Sequence, residues 1–225
     1  ALFHTISGTV KNLIIDNTCS FSARQYVGSF ALYLKDGGSL DNCVNFASVT
    51  CTPEKQDDSI NCFAGGLVAC TDSSTRSSAQ NQITNCRNNG NVTVGGNVTN
   101  FASAGGLVGG PSNVRISQSI NTGKVSNETS AQNYYGFDGN STGGIVGQID
   151  PLAALGVKTE IIGCVNIGSV TGGSNVGGMI GKVNYKGGSV LIESCRNLGN
   201  VHAANTADVQ NAGGILGCGY AEIYN

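Results

Sequence analysis

The chain has 225 residues and a formal charge of −2, from Lys+Arg 12 and Asp+Glu 14. That length is enough to bury a sizeable core, and the sparse, near-neutral charge excludes the basic face that nucleic-acid binding needs. No 18-residue apolar run is present to cross a membrane as a helix, and three prolines exclude a collagen or proline-rich rod, whereas 34 glycines and 25 asparagines are in excess.

In chain order, Ala1-Leu2-Phe3 is apolar at once, and Ser7-Gly8-Thr9-Val10-Lys11-Asn12-Leu13 follows. Val27-Gly28-Ser29-Phe30 is a degenerate copy of a motif whose full form is small-Gly-Gly-apolar-apolar-small. Leu40, Cys43, Asn45, Ala47 and Val49 then open a second motif, apolar-x-x-Cys-x-Asn-x-Gly-x-Val. From there the two alternate. Ala64-Gly65-Gly66-Leu67-Val68-Ala69 precedes Ile83, Cys86, Asn88, Gly90 and Val92. Ala104-Gly105-Gly106-Leu107-Val108-Gly109 precedes Ile116, Ser119, Asn121, Gly123 and Val125. Thr142-Gly143-Gly144-Ile145-Val146-Gly147 precedes Ile161, Cys164, Asn166, Gly168 and Val170. Val176-Gly177-Gly178-Met179-Ile180-Gly181 precedes Ile192, Cys195, Asn197, Gly199 and Val201. Ala212-Gly213-Gly214-Ile215-Leu216-Gly217 closes the series, and Ile223 is placed to begin another apolar column. The first glycines are 37, 40, 38, 34 and 36 residues apart.

Self-similarity at this period is the mark of a repeat architecture. Spacing inside each motif is fixed, and the insertions collect at two places per repeat. Apolar and polar residues alternate at strand period, while glycine and asparagine at this density oppose helices. A short strand cannot bury its inner face alone, but stacked copies can. The expectation is an all-β, right-handed parallel β-helix (β-solenoid) of about six coils of 34–40 residues, in one segment spanning residues 1–225. Right-handedness follows from the ~98% preference of parallel crossovers. A β-propeller is the alternative, but each repeat shows two or three strand-like runs where a blade needs four. Glycine columns supply positive φ or close approach at the corners. Asn45, Asn88, Asn121, Asn166 and Asn197 read as an internal side-chain ladder at a turn, or else as exposed turn residues.

The glycine pair with its apolar followers, alternating with apolar-x-x-Cys-x-Asn-x-Gly-x-Val, resembles the GLUG-motif repeats of large secreted and surface proteins. Gly143 to Gly147 with Cys164 to Val170, and Gly177 to Gly181 with Cys195 to Val201, carry the resemblance. It covers roughly residues 7 to 225, with departures at Ser29 and Ser119. It implies a β-solenoid stalk or adhesin region and no catalytic residue. Neither end shows a polar cap, so both ends of the solenoid are expected to be open. That suits a segment of a longer chain, a subunit joining copies of itself end to end, or a trimmed terminus.

Nine cysteines without a C-x-x-C pair, and two histidines, lack metal-site spacing. Adjacent coils about 4.8 Å apart bring column neighbours within disulfide reach. Candidates are Cys43 with Cys86, Cys164 with Cys195, and Cys51 with Cys62, which share one connection. Buried apolar thiols are the other reading. Four N-glycosylation sequons begin at Asn91, Asn97, Asn127 and Asn140, about as many as composition gives by chance. The last three fall after the valine column, in expected loops.

Glycoside cleavage needs carboxylates facing each other across a groove. The acids here are scattered, and Asp57-Asp58 reads as a solvated turn. The expected function is a non-enzymatic, extracellular or cell-surface structural protein without cofactor: a stalk, adhesin repeat or filament subunit, disulfide-stabilised and glycosylated. Its expected partners are further copies or further chain, and a carbohydrate or host-surface ligand. A carbohydrate-binding or polysaccharide-cleaving β-helix is the alternative, with Tyr134, Tyr135, Phe137 and Asp138 as its local candidate.

Overall fold

The computed structural model describes residues 1–52, 61–71, 79–96, 101–129, 140–150, 158–184, 189–204 and 211–224. Among these residues all regular structure is β. The first turn holds β1 (Phe3–Ile6), β2 (Thr9–Lys11), β3 (Ile14–Ile15), β4 (Ser20–Ala23) and β5 (Tyr26–Gly28). The second turn lays β6 (Ala31–Leu34) on β1, β7 (Ser39–Asp41) on β2, β8 (Val44–Asn45) on β3, β9 (Ser48–Cys51) on β4 and β10 (Asn61–Gly65) on β5, all parallel. The five-strand cycle recurs up to β31 (Leu216–Cys218) and β32 (Glu222–Tyr224). The outcome is five parallel sheets, two of seven strands and three of six, numbered first to fifth below in chain order. This is a parallel β-helix of six turns and two further strands.

Five strands per turn exceed the two or three expected. Those of the third sheet are two residues long, too short to leave a period-2 pattern in the sequence.

The columns pair in register. Leu40, Ile83, Ile116, Ile161 and Ile192 are mutual neighbours in the second sheet and are all buried. Val49, Val92, Val125, Val170 and Val201 are likewise neighbours in the fourth, buried as far as Val170 and half-buried at Val201. Two cores result. The larger packs Leu, Ile, Phe and Met side chains from the first and second sheets and the corners beside them. The smaller, between the fourth and fifth sheets, is built from Val27, Val49, Val92, Val94 and Val125 with alanines, Cys51 and Cys62.

The corners explain two columns. Left-handed backbone falls at Asn12, Asn42, Asn85, Gln118, Gly163 and Ser194, where each second-sheet strand turns toward the third. It precedes the cysteine column and is not at the ladder asparagines, whose backbone is in strands. The glycine pairs answer a different demand, close approach. A Cβ on Gly66 would lie 2.1 Å from the Gly106 carbonyl oxygen and 2.4 Å from Asn88 Cγ. Ser29 occupies that column in the first full corner, and its hydroxyl donates to the Gly66 carbonyl at 2.6 Å.

Candidate functional site

Four sets of side chains could carry function. The first is the asparagine column of the third sheet. Asn45, Asn88, Asn121, Asn166 and Asn197 are bonded in series, each Nδ2 donating to the next Oδ1 at 2.8, 2.9, 2.9 and 2.8 Å. Each Nδ2 also donates to the carbonyl two residues on, that of Ala47, Gly90, Gly123, Gly168 or Gly199. Asn45 to Asn166 are wholly buried and Asn197 half-buried. Buried amides cost stability unless paired. Here each pairs with its copy one turn away, so the column does structural work.

The cysteines come next. All nine are free thiols in this structure, so the expected cross-links are not formed. The cysteine column caps the corner. Cys43, Cys86, Cys164 and Cys195 donate to the carbonyls of Asp41, Thr84, Ile162 and Glu193. Ser119 does the same to Ser117 at 2.8 Å, which explains how serine enters that column. The thiols of the three expected pairs interact, Cys43 with Cys86, Cys51 with Cys62 and Cys164 with Cys195. The neighbouring Cys86 thiol holds Cys43 down to about 6, and the Cys164 thiol holds Cys195 down to about 7. Cys86 and Cys164 are pushed up, first by the same interaction and then by burial.

The sequons divide. Asn127 ends a strand, is 3% exposed and donates through Nδ2 to the Ala102 carbonyl at 3.0 Å. Asn140 begins a strand, is 1% exposed and donates to the Thr129 carbonyl at 3.0 Å. Neither lies in an exposed loop as expected, and the nitrogen that would carry a glycan is buried and bonded. Both were misplaced because the fourth- and fifth-sheet strands reach further toward the insertion than the valine column suggests. Asn91 is exposed, and its Oδ1 accepts from the Lys124 backbone N–H. Asn97 lies outside the described residues, as do Asp57-Asp58 and the Tyr134-Tyr135-Phe137-Asp138 cluster.

The fourth set escaped the sequence reading. Where the fifth sheet turns into the first, two columns face each other. Tyr26 and Phe63 are register partners in one, and Ser103 and Ser141 continue it. Tyr33 and Cys70 are partners in the other, with Gly110 next in register. The Tyr26 ring stacks on Phe63 at 5.6 Å and 9°, and Tyr33 tilts against Tyr26 at 5.8 Å. Lys35 Nζ stands 4.7 Å over the Tyr33 ring. Burial pushes the Tyr26 hydroxyl above its ordinary value, so it stays neutral. These rings and Gly110, Gln148 and Asp150 line a cavity of about 220 Å³. Aligning the repeats through the glycine pair would have put Tyr26 beside Phe63, but neither belongs to a recurring column.

Among the described residues no group of three His, Cys, Asp or Glu side chains is arranged to hold a metal. No protein-family profile matches the chain, and no curated protein matches its sequence. Its fold is similar to the crystal structure of a "putative immunoglobulin A1 protease" from Bacteroides ovatus, at TM-score 0.65 and 20% identity over 97% of this chain. This chain spans 57% of the length of that one. The likeness is one of fold: both contain a parallel β-helix.

Proposed function

We propose that this chain is a non-enzymatic structural segment of an extracellular or cell-surface protein: a β-solenoid stalk, adhesin repeat or filament subunit of the GLUG-motif kind. The observation that carries the proposal is where the recurring residues go. The isoleucine and valine columns fill the cores, the glycine pairs permit close approach, and the asparagines bond along the axis. The repeated chemistry is thus spent on stacking one turn on the next, which suits a mechanical element. The three thiol pairs suit an oxidising compartment. Loss of two protons and two electrons per pair, to oxygen through a thiol oxidase, would join Cys43 to Cys86, Cys51 to Cys62 and Cys164 to Cys195. Asn91 is the exposed sequon for a glycan. End-to-end contact of copies, or continuation of the chain as more solenoid, extends the stack. Electron microscopy of the native material tests this, with rods or filaments longer than one segment expected. Compact single particles with covered ends, and thiols that stay reduced in the secreted protein, would overturn it.

A further inference from the structure

We propose that the aromatic cavity at the corner between the fifth and first sheets is a binding site for one neutral pyranose ring of a glycan. The proposal stands apart from the stalk reading, since it uses none of the repeated columns.

The rings are foreign to the fold. At the equivalent positions later turns carry Ser103 and Ser141 in one column and Gly110 and Gln148 in the other. The solenoid therefore stacks there without aromatics, and Tyr26, Tyr33 and Phe63 remain half-exposed. Gly110 keeps the cavity open, because a Cβ there would lie 2.5 Å from Phe63 Cδ1.

The lining has two chemistries. Tyr26, Tyr33 and Phe63 give the cavity an aromatic wall, which matches the C–H face of a pyranose. Across from them, Asp150 Oδ1 accepts from Asn184 Nδ2 at 2.8 Å, and its second oxygen accepts nothing from the described residues. Gln148 accepts from Ser141 through Oε1, and its amide nitrogen donates to no described residue. A carboxylate oxygen and an amide N–H are what sugar hydroxyls pair with. Among the described lining residues Asp150 is the one that is charged. It repels sialic acids, uronic acids and phosphates, so the sugar is neutral. At about 220 Å³ the cavity is below the roughly 300–1,000 Å³ of drug-sized sites. It holds one ring and not a long stretch of chain.

The test uses the whole chain with methyl β-D-glucopyranoside, methyl β-D-galactopyranoside, methyl α-D-mannopyranoside and N-acetylglucosamine, read by saturation-transfer NMR. At least one should bind weakly, with transfer strongest to the ring C–H protons of one face. Tyr26→Ala and Phe63→Ala should each weaken it about tenfold, the equivalent of one good stacking contact. Asp150→Asn, which keeps a partner for Asn184, should weaken it without altering the thermal melt. Gly110→Val should abolish it by pushing the Phe63 ring into the cavity. Tyr220→Ala, an exposed ring at the other end of the chain, is the control and should bind as the parent does. Three outcomes overturn the proposal: no transfer to any of the four sugars, affinity unchanged in Tyr26→Ala, or tighter binding of N-acetylneuraminic acid than of any neutral sugar.

Discussion

Each turn of the helix has two unequal compartments. One is filled by Leu67, Ile83, Leu107, Ile116, Ile145, Ile161 and Met179; the other by Val49, Val92, Val125 and alanines. Between them runs the asparagine column. Asn88 lies between Cys86 of the large core and Val92 of the small one, and its side chain abuts Gly66, which lies between Ala64 of the small core and Leu67 of the large. The comparison teaches that one turn is held by three different means: bulk on one side, small side chains on the other, and between them a satisfied polar seam that backbone approaches closely.

The comparison is broken most severely at the seam's glycine. A Cβ on Gly144 would lie 2.1 Å from the Gly178 carbonyl oxygen and 2.3 Å from Asn166 Cγ. Gly144→Val should cost more than about 4 kcal/mol and abolish cooperative melting, because backbone must move. In the large compartment Ile161→Ala should cost about 2–5 kcal/mol, read as a lowered denaturation midpoint. At the seam, Asn121→Ala removes the acceptor of Asn88 Nδ2 and the donor to Asn166 Oδ1. Leaving buried amides unpaired should cost about 1–3 kcal/mol, and Asn197→Ala at the half-buried end should cost less. In the small compartment Val125→Ala should cost roughly 1.5 kcal/mol, from about 0.8 kcal/mol per buried CH₂. If Val125→Ala and Ile161→Ala shift the midpoint equally, the two compartments are energetically one. The smallest effect is on the thiols. Cys195, held near 7, should be alkylated by iodoacetamide in the folded protein from about neutral pH, and Cys164 last. Cys164→Ala removes the neighbouring thiol and should move labelling of Cys195 toward the pH of an ordinary thiol.

What recurs was legible in the sequence, and what occurs once was not. Five copies of Leu40, Ile83, Ile116, Ile161 and Ile192 fix a buried column, because stacked turns must repeat their inner residues. The left-handed corner was missed because Asn42, Asn85, Gln118, Gly163 and Ser194 share a backbone angle and not a side chain. Asn127 and Asn140 misled because a sequon carries no information on strand length. Tyr26, Tyr33 and Phe63 were invisible to repeat analysis because their columns continue as Ser103 and Ser141, and as Cys70 and Gly110. A device shared by all turns advertises itself by copy number, whereas a device grafted onto one corner looks like noise.

The asparagine column also has a direction. From Asn45 to Asn197 every amide gives its proton the same way along the axis, so the five dipoles add as in a one-way wire. At one end the Asn45 carbonyl accepts from the Ala47 backbone N–H beside Ile15 of the first turn, and at the other the Asn197 amino group donates to the Gly199 carbonyl. The first turn already closes the Asn45 end with Ile15, so the series can grow only past Asn197, where a further turn continues it by presenting an oxygen. Two such columns meeting amino end to amino end set donor against donor. The polarity written into five side chains therefore gives the column a single growing end, past Asn197.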